Sequence, residues 1–221
     1  ELLTSDKSIE VVDYGAGSPS SKLTKEQMNA GVVYSSKVSN VTLGSKPKFW
    51  AKFLYCLVKQ IKPNVCVELG TCVGVSASYQ AKALLSNNNA KLITLEGAQQ
   101  IADVANDTFK LLELSNVQTV VGPFHRTLQN VLQQHKPIDY FFNDGHHSHD
   151  AVLNYFNQAL PFLSTEAIVI FDDIVWSCGM QKAWKTIKNH NSVKYSVDLG
   201  DIGIAILSQS NENKQHYKLF L

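Results

Sequence analysis

The stretch Asn64-Val65-Cys66-Val67-Glu68-Leu69-Gly70-Thr71-Cys72-Val73-Gly74-Val75-Ser76-Ala77 decides how this chain is read. It is a short apolar strand ending in an acid, followed by a glycine turn and the start of a helix. Gly70 can take the positive φ that a tight strand-to-helix turn needs, and Gly74 lets backbone approach a ligand. This is the layout of a nucleotide-type cofactor site. The second glycine of a dinucleotide fingerprint is replaced by Cys72, which disfavours a nicotinamide or flavin pyrophosphate. An acid ahead of the turn suits a cationic cofactor tail instead.

Working outward, Lys91-Leu92-Ile93-Thr94-Leu95-Glu96-Gly97 is a second strand that again ends in an acid. It lies at the distance where a carboxylate accepts both hydroxyls of a ribose. Further on, strands alternate with amphipathic segments. The pattern predicts helices over 46–61, 75–85, 98–114, 128–134, 151–163 and 180–188. It predicts strands over 65–69, 92–96, 117–121, 138–143 and 167–171, and a hairpin of 193–197 with 202–207. Residues 216–221 could add an edge strand. The fold class is therefore α/β: a Rossmann-like, mostly parallel seven-stranded sheet with helices on both faces and a C-terminal antiparallel hairpin. Ligands of such sheets sit at the carboxyl ends of the strands, where the strand order reverses.

Chain length and composition agree. At 221 residues and 44% apolar content one substantial core is expected. A net charge of +1 with dispersed Lys and Arg gives no reason to expect nucleic acid. No apolar run is long enough for a membrane helix. Glu1 is not an initiator methionine and no signal segment opens the chain, so upstream residues were removed or the chain begins inside a longer one. Cys56, Cys66, Cys72 and Cys178 show no C-x-x-C spacing and read as reduced, small apolar residues of a cytoplasmic protein.

Four motifs in order carry a family resemblance: Val67 to Ala77, Glu96, Phe141-Phe142-Asn143-Asp144-Gly145-His146-His147, and Phe171-Asp172-Asp173-Ile174-Val175-Trp176. Together they resemble class I S-adenosylmethionine-dependent methyltransferases, in particular small O-methyltransferases of the catechol type and their bacterial relatives. The resemblance runs from about Lys46 to Leu207. It implies an enzyme that methylates a small hydroxylated acceptor, using S-adenosylmethionine as cofactor. Glu68 would stand near the methionine end, and Gly70, Thr71, Gly74 and Ser76 would wall the loop. Thr71 and Ser76 serve equally well as helix caps. Glu96 and Gly97 would take the ribose, while Gly122 and Phe124 would lie at the adenine, where an ordinary core aromatic is the alternative for Phe124.

By the same resemblance Asp144, Asp172 and Asp173 would hold Mg²⁺ or Mn²⁺, since hard oxygens from adjacent strand ends suit such ions. Asp173 stands where those relatives usually have Asn. Three acids equally fit a metal-free site for a cationic or polyhydroxyl substrate, and helix capping by Asp172 or Asp173 stays open. His147 falls where a Lys base is found and His146 where an aromatic flanks the adenine. Asp144 and His147 are the catalytic candidates, a solvated turn being the bland alternative. Trp176 could wall the acceptor pocket.

A second glycine run, Val11-Val12-Asp13-Tyr14-Gly15-Ala16-Gly17-Ser18, competes for the cofactor loop. It lacks a following ribose acid and would leave an extra, sheetless segment. Residues 1–45 are therefore read as an N-terminal lid or homodimer arm, and 46–221 as the cofactor-binding domain. A nicotinamide or nucleotide-sugar enzyme and a non-catalytic binding module are the competing functions.

Overall fold

The computed structural model describes residues 1–15, 17–18, 21–210 and 213–219. The N-terminal stretch holds β1 (Ser8–Asp13), β2 (Gly17–Ser18), β3 (Ser21–Lys22), α1 (Lys25–Ala30), β4 (Val32–Lys37) and α2 (Val38–Thr42). Then come α3 (Lys48–Ile61), β5 (Val65–Leu69), α4 (Val75–Leu84), β6 (Lys91–Glu96), α5 (Gln99–Leu111) and β7 (Val117–Val121). The second half is α6 (Phe124–His135), β8 (Ile138–Asn143), α7 (His149–Ala159), β9 (Leu163–Phe171), α8 (Cys178–Lys188), β10 (Val193–Asp198), β11 (Gly203–Leu207) and β12 (Gln215–Lys218).

The seven expected strands form one sheet with β12 as an eighth, in the order β12-β10-β11-β9-β8-β5-β6-β7. β11 is antiparallel to both of its neighbours, and the remaining pairs are parallel. The chain runs outward from β5 to β6 and β7, then returns to β8 on the other side of β5. The order reverses between β5 and β8, and a crevice opens at their carboxyl ends.

Strand periodicity assigns the two faces. Val67, Leu69, Ile93, Leu95, Phe141 and Val169 pack against α6, α7 and α8. Cys66, Leu92, Tyr140, Phe142 and Ile170 pack against α3, α4 and α5. Burial on both faces explains the near-continuous apolar strands, and each fully buried Leu or Phe contributes about 1.5–3 kcal/mol.

Helix ends follow their local chemistry. Pro47 and Pro123 stand at the N-caps of α3 and α6, so α3 starts at Lys48 and α6 already at Phe124. Ser148 and Ser177 cap α7 and α8, accepting from Ala151 N–H and Met180 N–H. α5 stops at Leu111, ahead of Glu113 in the left-handed region. Phe220 and Leu221, at the end of the expected edge strand, lie outside the described residues. No helix among the described residues is long and apolar enough to cross a membrane.

The N-terminal stretch is not the sheetless segment that was expected. β1 and β4 pair antiparallel from Ser8↔Lys37 to Asp13↔Val32. Ile9 and Val11 are buried against Val38, Val73, Ala98, Ile101 and Val104, which fixes this ribbon to α5 and the glycine loop. Glu10 N–H also donates to Gln100 Oε1 at 2.8 Å. The competing glycine run is thus spent on an antiparallel strand and its exit, with Ala16 outside the described residues.

This attachment rests on a few apolar contacts, so a charge there should release it. Val11→Asp buries an unpaired carboxylate at a cost of several kcal/mol. Hydrogen exchange is expected to show residues 8–13 and 32–37 losing protection while β5, β6 and β8 keep theirs. Equal loss throughout would mean that the ribbon and the sheet unfold as one unit.

Candidate functional site

A cavity of about 670 Å³ opens at the strand-order reversal. Its floor is the loop after β5 (Gly70, Thr71, Cys72), and its walls come from Glu96 and Gly97 after β6, Phe124 of α6, and Asp144 to Ser148 after β8. Asp13, Tyr14, Met28, Tyr34 and Lys46 of the N-terminal stretch complete it.

Gly70 has φ 96°, and a Cβ there would stand 2.6 Å from the Asp144 carbonyl oxygen. Asp144 N–H donates to Leu69 O at 2.9 Å, so the two loops meet backbone to backbone. Gly74 does a different job from the one expected. A Cβ there would meet the Phe109 ring at 2.8 Å, so its bareness lets α4 pack on α5, and Gly74 is not among the residues that line the cavity. Cys72, where a dinucleotide loop has glycine, holds φ 48°, and its N–H donates to Glu96 Oε2 at 2.9 Å. Burial pushes its thiol up to about 11, which fits the packing reading.

Glu68 departs from expectation. It shares a face with Cys66, pointing under α4 and away from the cavity, and it is wholly buried. Ser76 Oγ, Gln80 Nε2 and Thr94 Oγ1 donate to it at 2.7, 2.8 and 2.7 Å. Ser76, though it borders the cavity, spends its hydroxyl here. Thr94 also lies 2.7 Å from Thr71 Oγ1, which links this carboxylate to the loop floor. Loss of solvent is the dominant influence on Glu68, opposed by the three donors, and raises its carboxyl to about 7.

Glu96 does open into the cavity. Its carboxylate accepts from Cys72 N–H and, at 3.1 Å, from Ala98 N–H. Burial outweighs these donors and raises it to about 7. Gly97 beside it carries the Tyr14 ring, whose Cδ2 would be 2.7 Å from a Cβ. Past this point Phe124 and His146 both stand edge-on to Tyr155, with centroids 5.8 and 6.2 Å apart. Burial lowers the His146 imidazole below its usual range. Gly122 itself makes the turn and does not line the cavity, contrary to expectation.

At the other end, one ligand atom each from Asp144, His147 and Asp172 lies within 4.8 Å of the other two. His147 Nε2 is buried without a hydrogen-bond partner among the described residues, 3.8 Å from Asp144 Oδ1 and 3.5 Å from Asp173 Oδ2. Trp176 lies beside that imidazole, centroids 5.7 Å apart. The donor chemistry suits a divalent ion. Yet the Lys46 ammonium pairs with Asp172 Oδ2 and lies 3.4 Å from Asp144 Oδ1. A metal ion and this ammonium would compete for the same two carboxylates, so the site as built does not accommodate both.

The structure thus brings together Gly70, Thr71, Glu96, Gly97, Phe124, Asp144, His146, His147 and Asp173 around one cavity, with Asp172 just behind its wall. Sequence reasoning missed Lys46, Tyr14 and Tyr155. Only Lys46 had a signal, since three neighbouring acids require a counter-charge.

Residues 67–174 match the family model of a methyltransferase domain. The fold is similar to the O-methyltransferase of Bacillus cereus solved with S-adenosylhomocysteine (TM-score 0.65, 22% identity, 77% of this chain and 86% of that one). It is also similar to TomG of Streptomyces achromogenes, an O-methyltransferase of tomaymycin synthesis solved with S-adenosylmethionine (0.64, 20%, 77% and 88%). A methyltransferase of Podospora anserina with S-adenosylhomocysteine bound is a further neighbour (0.65, 18%, 76% and 81%). Residues 67–174 thus resemble a methyltransferase domain, and the sheet around them has the fold of these neighbours.

The Glu68 network yields a stability prediction. A carboxyl raised from 4.5 to about 7 on folding contributes stability that is present below pH 4.5 and lost as pH rises through about 7. Across that window wild type should lose up to about 3 kcal/mol relative to Glu68→Gln, which cannot ionise. Urea unfolding of both proteins at several pH values measures this. A difference that stays flat with pH would mean that folding leaves the Glu68 proton where it is in the unfolded chain.

Proposed function

We propose that the protein is an S-adenosylmethionine-dependent O-methyltransferase acting on a small hydroxylated molecule. The observation that carries this reading is the single cavity with Glu96 at one end and the Asp144, His147 and Lys46 group at the other. Glu96 accepts the two ribose hydroxyls, His146, Phe124 and Tyr155 receive the adenine, and the Gly70 to Cys72 loop carries the methionine part. The acceptor hydroxyl then lies beside Asp144 and His147.

Methyl transfer from a sulfonium needs an aligned nucleophile and somewhere for its proton to go. The acceptor oxygen attacks the methyl carbon, the carbon–sulfur bond breaks with its electron pair passing to sulfur, and the proton goes to His147 Nε2. That atom is suited to the task because it is buried without a hydrogen-bond partner among the described residues. Asp144 and Asp173, 3.8 and 3.5 Å from the same nitrogen, stabilise the imidazolium once it is charged.

Residues 1–45 act as a lid, a reading supported by Tyr14 over Gly97 and by Asp13 and Tyr34 at the cavity. Exposed Val33 and Leu43 support a homodimer contact on the same stretch. Four free cysteines support a reducing, cytoplasmic setting. The dinucleotide alternative loses support because Lys46, the cation nearest the glycine loop, is already paired with two carboxylates.

Calorimetry with S-adenosylhomocysteine tests the cofactor assignment. Losing the ribose contacts in Glu96→Ala should cost about 2–4 kcal/mol. Because ribose hydroxyls favour the ionised carboxylate, wild-type affinity should rise with pH up to about 7 and then level off. Glu96→Gln should bind weakly without that slope, and unchanged affinity in both variants would remove Glu96 from the site.

On a panel of phenolic and catecholic acceptors, His147→Ala should lower kcat by roughly 10²-fold with cofactor affinity nearly unchanged. His146→Ala should weaken cofactor binding instead. The reverse pattern would exchange the two roles.

A further inference from the structure

Asp172 is about as buried as a carboxylate can be, with 1% of its side chain exposed, and Lys46 at 11% is nearly so. A charge this deep is tolerated only with a partner. The cation that meets Asp172 is Lys46, which reaches Asp144 as well. Lys46 comes from the turn before α3, where Ser45 Oγ lies 3.6 Å from Cys72 Sγ, so the ammonium is anchored beside the cofactor loop. Both carboxylates belong to the Asp144, His147 and Asp172 group whose spacing suits a bound ion.

We propose that the Lys46 ammonium is the resident cation of this site in place of a divalent metal ion, and that it meets the acceptor oxygen during metal-independent methyl transfer. This rests on the methyltransferase reading above. An ammonium has three donors. Two face Asp172 and Asp144, and one remains for an oxygen entering the cavity that Lys46 lines. As the acceptor proton moves to His147 and the oxygen bonds to the methyl carbon, charge develops on that oxygen beside the ammonium. A donor already in position stabilises such charge without reorganising. Unlike a metal ion, Lys46 cannot diffuse away, and as a point charge it does not require a planar, catechol-like pair of oxygens. The acceptors that fit are therefore monohydroxylated as readily as vicinal diols.

Titration of the intact protein with Mn²⁺, followed by calorimetry and by the electron paramagnetic resonance of free Mn²⁺, tests this without knowing the acceptor. Wild type should show no site at millimolar Mn²⁺. Lys46→Ala, which uncovers the buried carboxylates, should gain one, and Lys46→Gln should gain a weaker one. Binding of S-adenosylhomocysteine should be about equal in all three, which establishes that the variants fold. On any acceptor that wild type turns over, chelator should leave its rate unchanged, and Lys46→Ala should fall by about 10²-fold. A Mn²⁺ site in wild type, Mn²⁺ binding in none of the three, or full turnover by Lys46→Ala in chelator would each overturn the proposal. Failure of wild type to bind S-adenosylhomocysteine would instead overturn the methyltransferase reading itself.

Discussion

The close approach of β5 and β8 at their carboxyl ends is the constraint on which the rest of the site depends. Leu69 O accepts from Asp144 N–H, and the bare face of Gly70 lies against the Asp144 carbonyl, with no room for a side chain. Because two central strands end in register, a turn opening into a helix and a turn carrying an acid face each other across one crevice. Gly145 extends the same contact, since a Cβ there would stand 2.4 Å from the Phe124 ring. Two glycines from different strands therefore bring the cofactor loop, the aromatic wall and the acid cluster within one cavity.

Electrostatics then divide the carboxylates by what each can pair with. Glu68 and Glu96 are both raised to about 7 by burial, and both end strands. Glu68 faces α4 and accepts from three side-chain donors, so it braces β5, β6 and α4. Glu96 is met by backbone N–H groups of the loop and of the α5 start, on the side where the cavity begins. Asp144 and Asp172 are met by Lys46. Carboxylates thus serve as a brace, as a wall of the cavity and as counter-ions, according to face and neighbour.

This division explains what could be read from residues alone. Strand and helix order was legible because each central strand is buried on both faces and most gaps carry Gly, Pro or a Ser cap. Glu96 was legible because its position follows from strand length. The position of Glu68 was misjudged although its parity with Cys66 and the Ser76/Gln80 spacing of one helical turn were both visible. Lys46 was not legible in position, because nothing local in Gly44-Ser45-Lys46-Pro47 says that this turn folds back more than a hundred residues onto Asp172. Likewise the contact of Tyr14 with Gly97 depends on how the β1 and β4 ribbon settles on α5, a packing outcome with no periodicity of its own.

The match to a methyltransferase domain begins at residue 67, yet Tyr14 and Lys46 precede it and touch the two ends of the cavity. The sheet within that match supplies the Gly70 to Cys72 loop, Glu96, and the Asp144 and Asp172 carboxylates. What borders the remaining space, and what charge stands beside the acid cluster, comes from the earlier residues. Lys46 is held by its two carboxylates, whereas the ribbon that carries Tyr14 is held mainly by Ile9, Val11 and Val38, a thin apolar contact beside the double-faced core of the sheet. A segment attached that lightly can change its outward residues at small cost to the fold, whereas a change at Gly70 or Glu68 is felt through the sheet. The N-terminal residues can therefore vary what borders the cavity while the sheet beneath keeps its packing.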